Sequence, residues 1–202
     1  MPRTGARGGP QTRQRISNVA TQLFQERGFD TVTVAEVARE AGVSSVTVFK
    51  HFPRKEDLLL DRTDDATDLL RSAVRDRAAD VDVLTSLRTA TLGLVDARHA
   101  LSGIKDGSIP FYQTVAASPA LISRAREIAS ELQQTLTDEL DQDPVFAGDA
   151  SLLAAFFIAG YTTVLVETAR RITAGDPSDT VADDHRARVE HLFNALRHGF
   201  AD

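Results

Sequence analysis

The chain has 202 residues, of which 42% are hydrophobic and 26% charged, with a formal net charge of −6. That composition supports a buried core and excludes general disorder, and the length suits one large domain or a small head on a larger body. There is no cysteine, so neither a disulfide framework nor a thiolate metal site can form.

The charge is unevenly spread. Residues 1–62 hold ten Lys/Arg against seven Asp/Glu, and the remainder thirteen against twenty-two. A mildly positive N-terminal part on an acidic body suits an anionic partner at one end. The longest apolar run, Leu152 to Val166, covers about fifteen residues, fewer than a bilayer span needs, and the N-terminus lacks the apolar stretch of a signal peptide. The sequence therefore predicts a cytoplasmic protein without a membrane partner, and the missing cysteines agree with a reducing compartment.

In chain order, residues 1–10 are rich in Gly and Pro and carry Arg3 and Arg7; they read as a flexible basic arm. From Gln11 to Arg27, Ile16, Val19, Ala20, Leu23 and Phe24 recur at helical spacing, and Gly28 suits a C-terminal cap. Thr33 and Glu36 form a capping box, in which a hydroxyl and a carboxylate three residues apart satisfy each other's orphan N–H groups. The short helix they open runs to about Ala41. Gly42 is placed for a turn needing positive φ. Ser44 caps the next helix, which ends near Phe52-Pro53.

A long helix is predicted from about Lys55 to Ala79, with Glu56 and Asp57 favoured in its first turn by the helix dipole. Further helices are predicted near 82–101, 107–115, 119–141, 147–174 and 181–199, separated by Gly-, Pro- and Asp-containing breaks. No strand-like alternation is present. The fold class is all-α, about nine helices, with a three-helix head on a larger helical domain.

The two short helices around Gly42 carry Val37, Ala38, Ala41, Val43 and Val48 at the spacing that fills a small core between crossing helices. Such a pair is either a DNA-binding helix-turn-helix or an ordinary αα-hairpin. A wider pattern bears on the choice. Arg13 to Ile16, Ala20, Leu23-Phe24, Gly28-Phe29, Thr33, Val37-Ala38, Ala41 to Ser44, Thr47, Phe49, His51-Phe52, Lys55-Glu56 and Leu58 together resemble the DNA-binding domain of the TetR family of transcriptional regulators. The resemblance covers about a quarter of the chain.

That resemblance implies three segments: an arm over 1–10, a helix-turn-helix domain over 11–54, and a ligand-binding and dimerisation domain over 55–202. It implies DNA contacts from Thr33, Ser44, Ser45, Val46, Thr47, Phe49, Lys50, His51 and Lys55, with the third helix in the major groove and Lys55 and His51 on phosphates. The family usually has Tyr where this chain has Phe49, which removes a hydroxyl but leaves a ring to press on sugar or a thymine methyl. Arg54 replaces a small capping residue. Only Lys50 is placed to read guanine, and Val46 can meet a thymine methyl, so DNA shape and the arm are expected to share in specificity.

For the body, the family pairs its last two long helices with their twofold mates. The apolar helix at 147–174 and the striped one at 181–199 suit that role, giving a homodimer on a near-palindromic DNA operator. An effector pocket is expected among Leu69, Arg88, Leu92, His99, Phe111, Tyr112, Phe157 and Tyr161. Walls of Phe and Leu with few polar anchors imply a small, mostly apolar or aromatic effector, and release of DNA by that effector makes the protein a repressor by the family's habit. The helix starting at Lys55 would be the lever between pocket and head.

No cofactor, metal or catalytic residue is predicted. His185, His191 and His198 stand six and seven apart, a poor metal comb, and no P-loop, Rossmann glycine pattern or nucleophile elbow is present. An architectural DNA-binding protein without an effector stands as the alternative to the regulator, and an enzyme as the remote one.

Overall fold

The computed structural model describes residues 9–105 and 107–199. Among them there is no strand, and nine α-helices follow in order: α1 Gly9–Arg27, α2 Val34–Glu40, α3 Ser45–His51, α4 Thr63–Arg75, α5 Val83–Asp96, α6 Ile109–Ala117, α7 Pro119–Asp141, α8 Ala150–Ala174 and α9 Ser178–His198. Short 3-10 turns lie at Glu56–Leu58 and Ala100–Ser102. The all-α class predicted from the sequence is the one found. The predicted basic arm falls mostly outside the described residues; its last two positions, Gly9 and Pro10, already belong to α1, where proline costs no hydrogen bond.

Two predicted helices differ most in their bounds, each for a local reason. The helix expected from Lys55 to Ala79 is broken: a single 3-10 turn is followed by irregular backbone, and α4 starts only at Thr63. The carboxylate of Asp61 accepts from Ser17 Oγ at 2.6 Å and its carbonyl accepts from Arg13 at 3.2 Å, so α1 takes both polar groups at the break. At its far end α4 stops at Arg75, where the Arg77 guanidinium donates to the carbonyls of Val74 and Val81 and closes the terminus. The helix predicted to reach 101 ends at Asp96, with Arg98 at φ +44 and the His99 N–H returning to the Leu94 carbonyl.

The fold divides into two compact units. The first comprises the described part of Met1–Asp61 together with Pro110–Ala125. Ile16, Ala20 and Phe24 line one face of α1 and pack with Phe29, Val37, Ala38, Val48, Phe52, Leu58 and Leu121. Two ties bind the later segment to the earlier one: Arg124 Nε donates to the Asp57 carboxylate at 2.8 Å, and Ser118 Oγ to that of Asp30 at 3.1 Å. The compact unit therefore runs past residue 54, where the sequence placed its boundary, and recruits the start of α7.

The second unit comprises Arg62–Ile109 and the described part of Arg126–Asp202. Its core joins Leu70 and Val74 of α4, Leu87 and Leu92 of α5, Leu136 and Leu140 of α7, Phe157 and Val164 of α8, and Val189, Leu192 and Phe193 of α9. Two ion pairs clamp α4 and its C-terminal extension to α7 and the turn after it: Arg75 binds Glu139 through two nitrogens, and Arg77 binds Asp143. At Gly160 the two last helices meet so closely that a Cβ would overlap the Leu192 side chain. The 25-residue α8 is longer than the fifteen-residue apolar run read from the sequence, and is long and apolar enough to cross a membrane.

Candidate nucleic-acid interface

The first unit builds a short helix that is capped, backed by core and open on one side. Thr33 caps α2: its Oγ1 accepts from the Glu36 N–H at 3.2 Å, while Glu36 Oε2 accepts from the Thr33 N–H at 2.8 Å. These hydrogen bonds, first of all the one from the Thr33 backbone and then the one from Arg27, hold the Glu36 carboxyl down at about 2. Gly42, at φ +64, reverses the chain. Ser44 then caps α3, its Oγ accepting from the Thr47 N–H at 3.1 Å.

α3 is anchored from below by Val48, which is fully buried, and by its C-cap Phe52. The Arg13 guanidinium lies 4.7 Å from the Phe52 ring centroid, a cation–π contact that fixes the helix end to α1. The opposite side points outward: Val46 is 79% exposed and Phe49 51%. A Val and a Phe so open to water on a seven-residue helix have no folding role there, which is the mark of a contact surface. Lys50 lies exposed beside them, Ser44 is exposed, and Ser45, Thr47 and His51 are partly covered.

Two of the expected DNA-contact residues, Lys55 and Thr33, also bond within the fold. Lys55 points inward: its Nζ donates to the Phe29 carbonyl at 2.6 Å and lies 4.2 Å from the Phe29 ring centroid. Burial holds its ammonium below the ordinary lysine value, against the attraction of Asp30 and Glu56. Thr33 Oγ1 contacts both the N–H and the carboxylate of Glu36, so its hydroxyl is committed to the cap. The Thr33 cap is the one read from local sequence, which gives no sign of the Lys55 contacts. Nor does it reveal Arg13, Ser17 and Asp61 as a cluster, because their partners lie 44 and 48 residues away.

The residues expected to line an effector pocket fall into both units. Phe111 packs on the core of the first unit, and burial pushes its neighbour Tyr112 up to about 12. In the second unit Leu92 and Phe157 are core residues, with Leu69 packed against them. Tyr161 stacks on Phe157 at 6.1 Å and donates its hydroxyl to the Leu101 carbonyl at 3.0 Å. His99 caps the 3-10 turn, its Nδ1 accepting from the Leu101 N–H. Arg88 lies at the surface, bound through two nitrogens to Glu190 of α9.

A capped, glycine-reversed pair of short helices with an exposed face has the form of a helix-turn-helix. Residues 16–61 match the family described as bacterial regulatory proteins, tetR family. Over 47 residues, 23% of this chain, it is 43% identical to the HTH-type transcriptional regulator HbdR of Aromatoleum sp. (strain CIB). That match spans only 20% of HbdR. Among solved structures, NalD of Pseudomonas aeruginosa, the secondary repressor of the MexAB-OprM multidrug efflux pump, is similar over 95% of this chain and 97% of its own, with a TM-score of 0.59 at 17% identity. Thermus thermophilus FadR, a TetR-family transcriptional repressor solved with lauroyl-CoA, is similar over 94% and 95%, with a TM-score of 0.56 at 24% identity. At these identities the likeness is one of fold.

Proposed function

We propose that the chain is a transcriptional regulator that reads a near-palindromic DNA operator as a homodimer and releases it when a small, mostly apolar or aromatic effector enters its body. The observation that carries this reading is the face of α3, where Val46, Phe49 and Lys50 stand exposed on a helix pinned by Ser44 at one end and by Phe52 under Arg13 at the other. An apolar pair suits thymine methyls and a lysine suits guanine. Ser45, Thr47 and His51 flank these readers as phosphate contacts. Lys55 supports binding through the Phe29 loop that it holds.

The dimer reading rests on α8. Leu152, Phe156 and Val166 are each about half exposed, and with exposed Ala159 and Thr163 they form one outward stripe. A stripe of this kind is what two copies bury against each other in a C2 interface. The same stripe accounts for the apolar length of α8 without a membrane, since Glu167, Arg170 and Arg171 occupy its last two turns. The effector reading rests on Leu69, Leu92, Phe157 and Tyr161 in the second unit. They form a closed core, so a ligand reaches them only as side chains part, and an apolar compound such as the acyl chain bound by the Thermus repressor is the class they suit.

The test is a gel-shift on a pool of random duplexes at low ionic strength. The purified chain retains duplex, and the variant with Val46, Phe49 and Lys50 all changed to Ala, its melting temperature intact, does not. Failure of the unmodified chain to bind any duplex would overturn the proposal. An effector is recognised by raising the melting temperature while weakening that binding.

A further inference from the structure

One polar side chain is sealed between α8 and α9. His185 is fully buried, and its Nδ1 lies 2.8 Å from Thr168 Oγ1. The Thr168 hydroxyl has a single proton, and its oxygen also lies 2.9 Å from the Val164 carbonyl. A carbonyl can only accept, so the hydroxyl proton goes to Val164 and the Nδ1–H of His185 donates to Thr168. The ring lone pair is then on Nε2, a buried atom with no hydrogen-bond partner among the described residues. Tyr161 meets the imidazole edge-on with centroids 6.4 Å apart, but its hydroxyl is directed to the Leu101 carbonyl.

Charges around the site are already paired. On α9, Asp184 is adjacent, Arg188 binds Asp184, and Arg186 binds Asp96 at the end of α5. On α8, Arg171 bridges Asp184 and Asp176. Asp184 is the one charge that favours a protonated ring, and burial outweighs it, holding the His185 value below that of an ordinary histidine.

We propose that His185 is a proton-sensing site that keeps α8 and α9 packed only while its ring is neutral. A proton arriving at Nε2 places an N–H and a positive charge where no acceptor awaits them. The folded-state value lies below the unfolded one, so the unfolded chain takes up the proton first as pH falls. The stabilisation is complete above the ordinary histidine range near pH 6.5 and is lost as pH drops below it toward the folded-state value. Mild acid thus becomes a second input to the body. Its consequence for assembly rests on the reading of α8 as the association surface.

The test compares thermal melts of the full chain and of His185→Gln between pH 7.5 and pH 5 at one protein concentration. Between pH 7 and pH 5 the folding equilibrium constant of the unmodified chain falls further than the variant's, by up to about twentyfold, the limit set by an unfolded-chain histidine. Parallel pH profiles would overturn the proposal. If His185→Gln does not fold, NMR titration of the unmodified chain decides. One of the five imidazoles staying neutral well below pH 6.5 supports the site, and all five titrating together overturns it. Sedimentation at pH 7.5 separates the two readings: a monomer there contradicts the association surface, while the melts still decide His185.

Discussion

Single residues of the head divide between those proposed to read DNA and those that hold the fold. Glu36 holds: with its carboxyl kept at about 2 against an ordinary 4.5, the charged form strengthens the α2 cap. The sign follows from that depression. The stabilisation is fully present above pH 4.5 and is lost as pH falls through 4.5 toward 2. Circular dichroism melts of Glu36→Gln should therefore lose the part of the acid limb that falls in this window in the unmodified chain. Lys55 also holds. Lys55→Met keeps the apolar stem but removes the bond to the Phe29 carbonyl; it should lower stability by about 1–3 kcal/mol in denaturant titrations and leave the salt dependence of duplex binding unchanged. Lys50→Ala should do the reverse, sparing stability and relaxing preference at one base position by about 1–3 kcal/mol in competition binding. The cap residues Thr33, Glu36 and Ser44 were legible because a cap is a short-range pattern. The inward turn of Lys55 was not, because its acceptor is a carbonyl 26 residues earlier.

At the scale of elements, local chemistry set the starts of helices better than their continuity. Ser44, Asp82 and Asp149 cap α3, α5 and α8 through side-chain oxygens. Ser44→Ala should destabilise the head by about 1 kcal/mol, measured by chemical denaturation, and weaken duplex binding without changing which sequence is preferred. The break before α4 escaped the sequence reading because Leu58, Leu59 and Leu60 run straight into a helical pattern. Only the hold of Ser17 and Arg13 on Asp61 explains why the helix does not continue. The lever expected to run unbroken from Lys55 into the body is accordingly two pieces, and α4 begins beyond the first unit. The ends of α4 and α5 were misjudged for a related reason: the Arg77 guanidinium closes α4 on two carbonyls, and the backbone N–H of His99 closes α5 on the Leu94 carbonyl.

For the whole molecule, the sequence conveyed the all-α class through periodicity and caps, and the helix-turn-helix through the family resemblance of about a quarter of the chain. It did not convey that residues 110–125 complete the first unit, because Ser118 and Arg124 find their partners 88 and 67 residues earlier. The apolar members of the expected effector set were chosen by residue type, and apolarity does not separate a pocket wall from a core; Leu92 and Phe157 lie in the core. The stripe on α8 carries the assembly prediction. Phe156→Glu places a charge in the face proposed to bury against a second copy, and should convert the proposed dimer to monomer in sedimentation equilibrium while the monomer stays helical. The proposed reading of DNA depends on α3 entering a duplex groove in a pair of copies. The most direct measurement is a binding-site selection from random duplexes with the purified full chain. An enriched inverted repeat with half-sites about one helical turn apart or more is expected, lost when Val46, Phe49 and Lys50 are replaced together. Recovery of unenriched sequence, with the same duplexes retained by the triple variant, would contradict it.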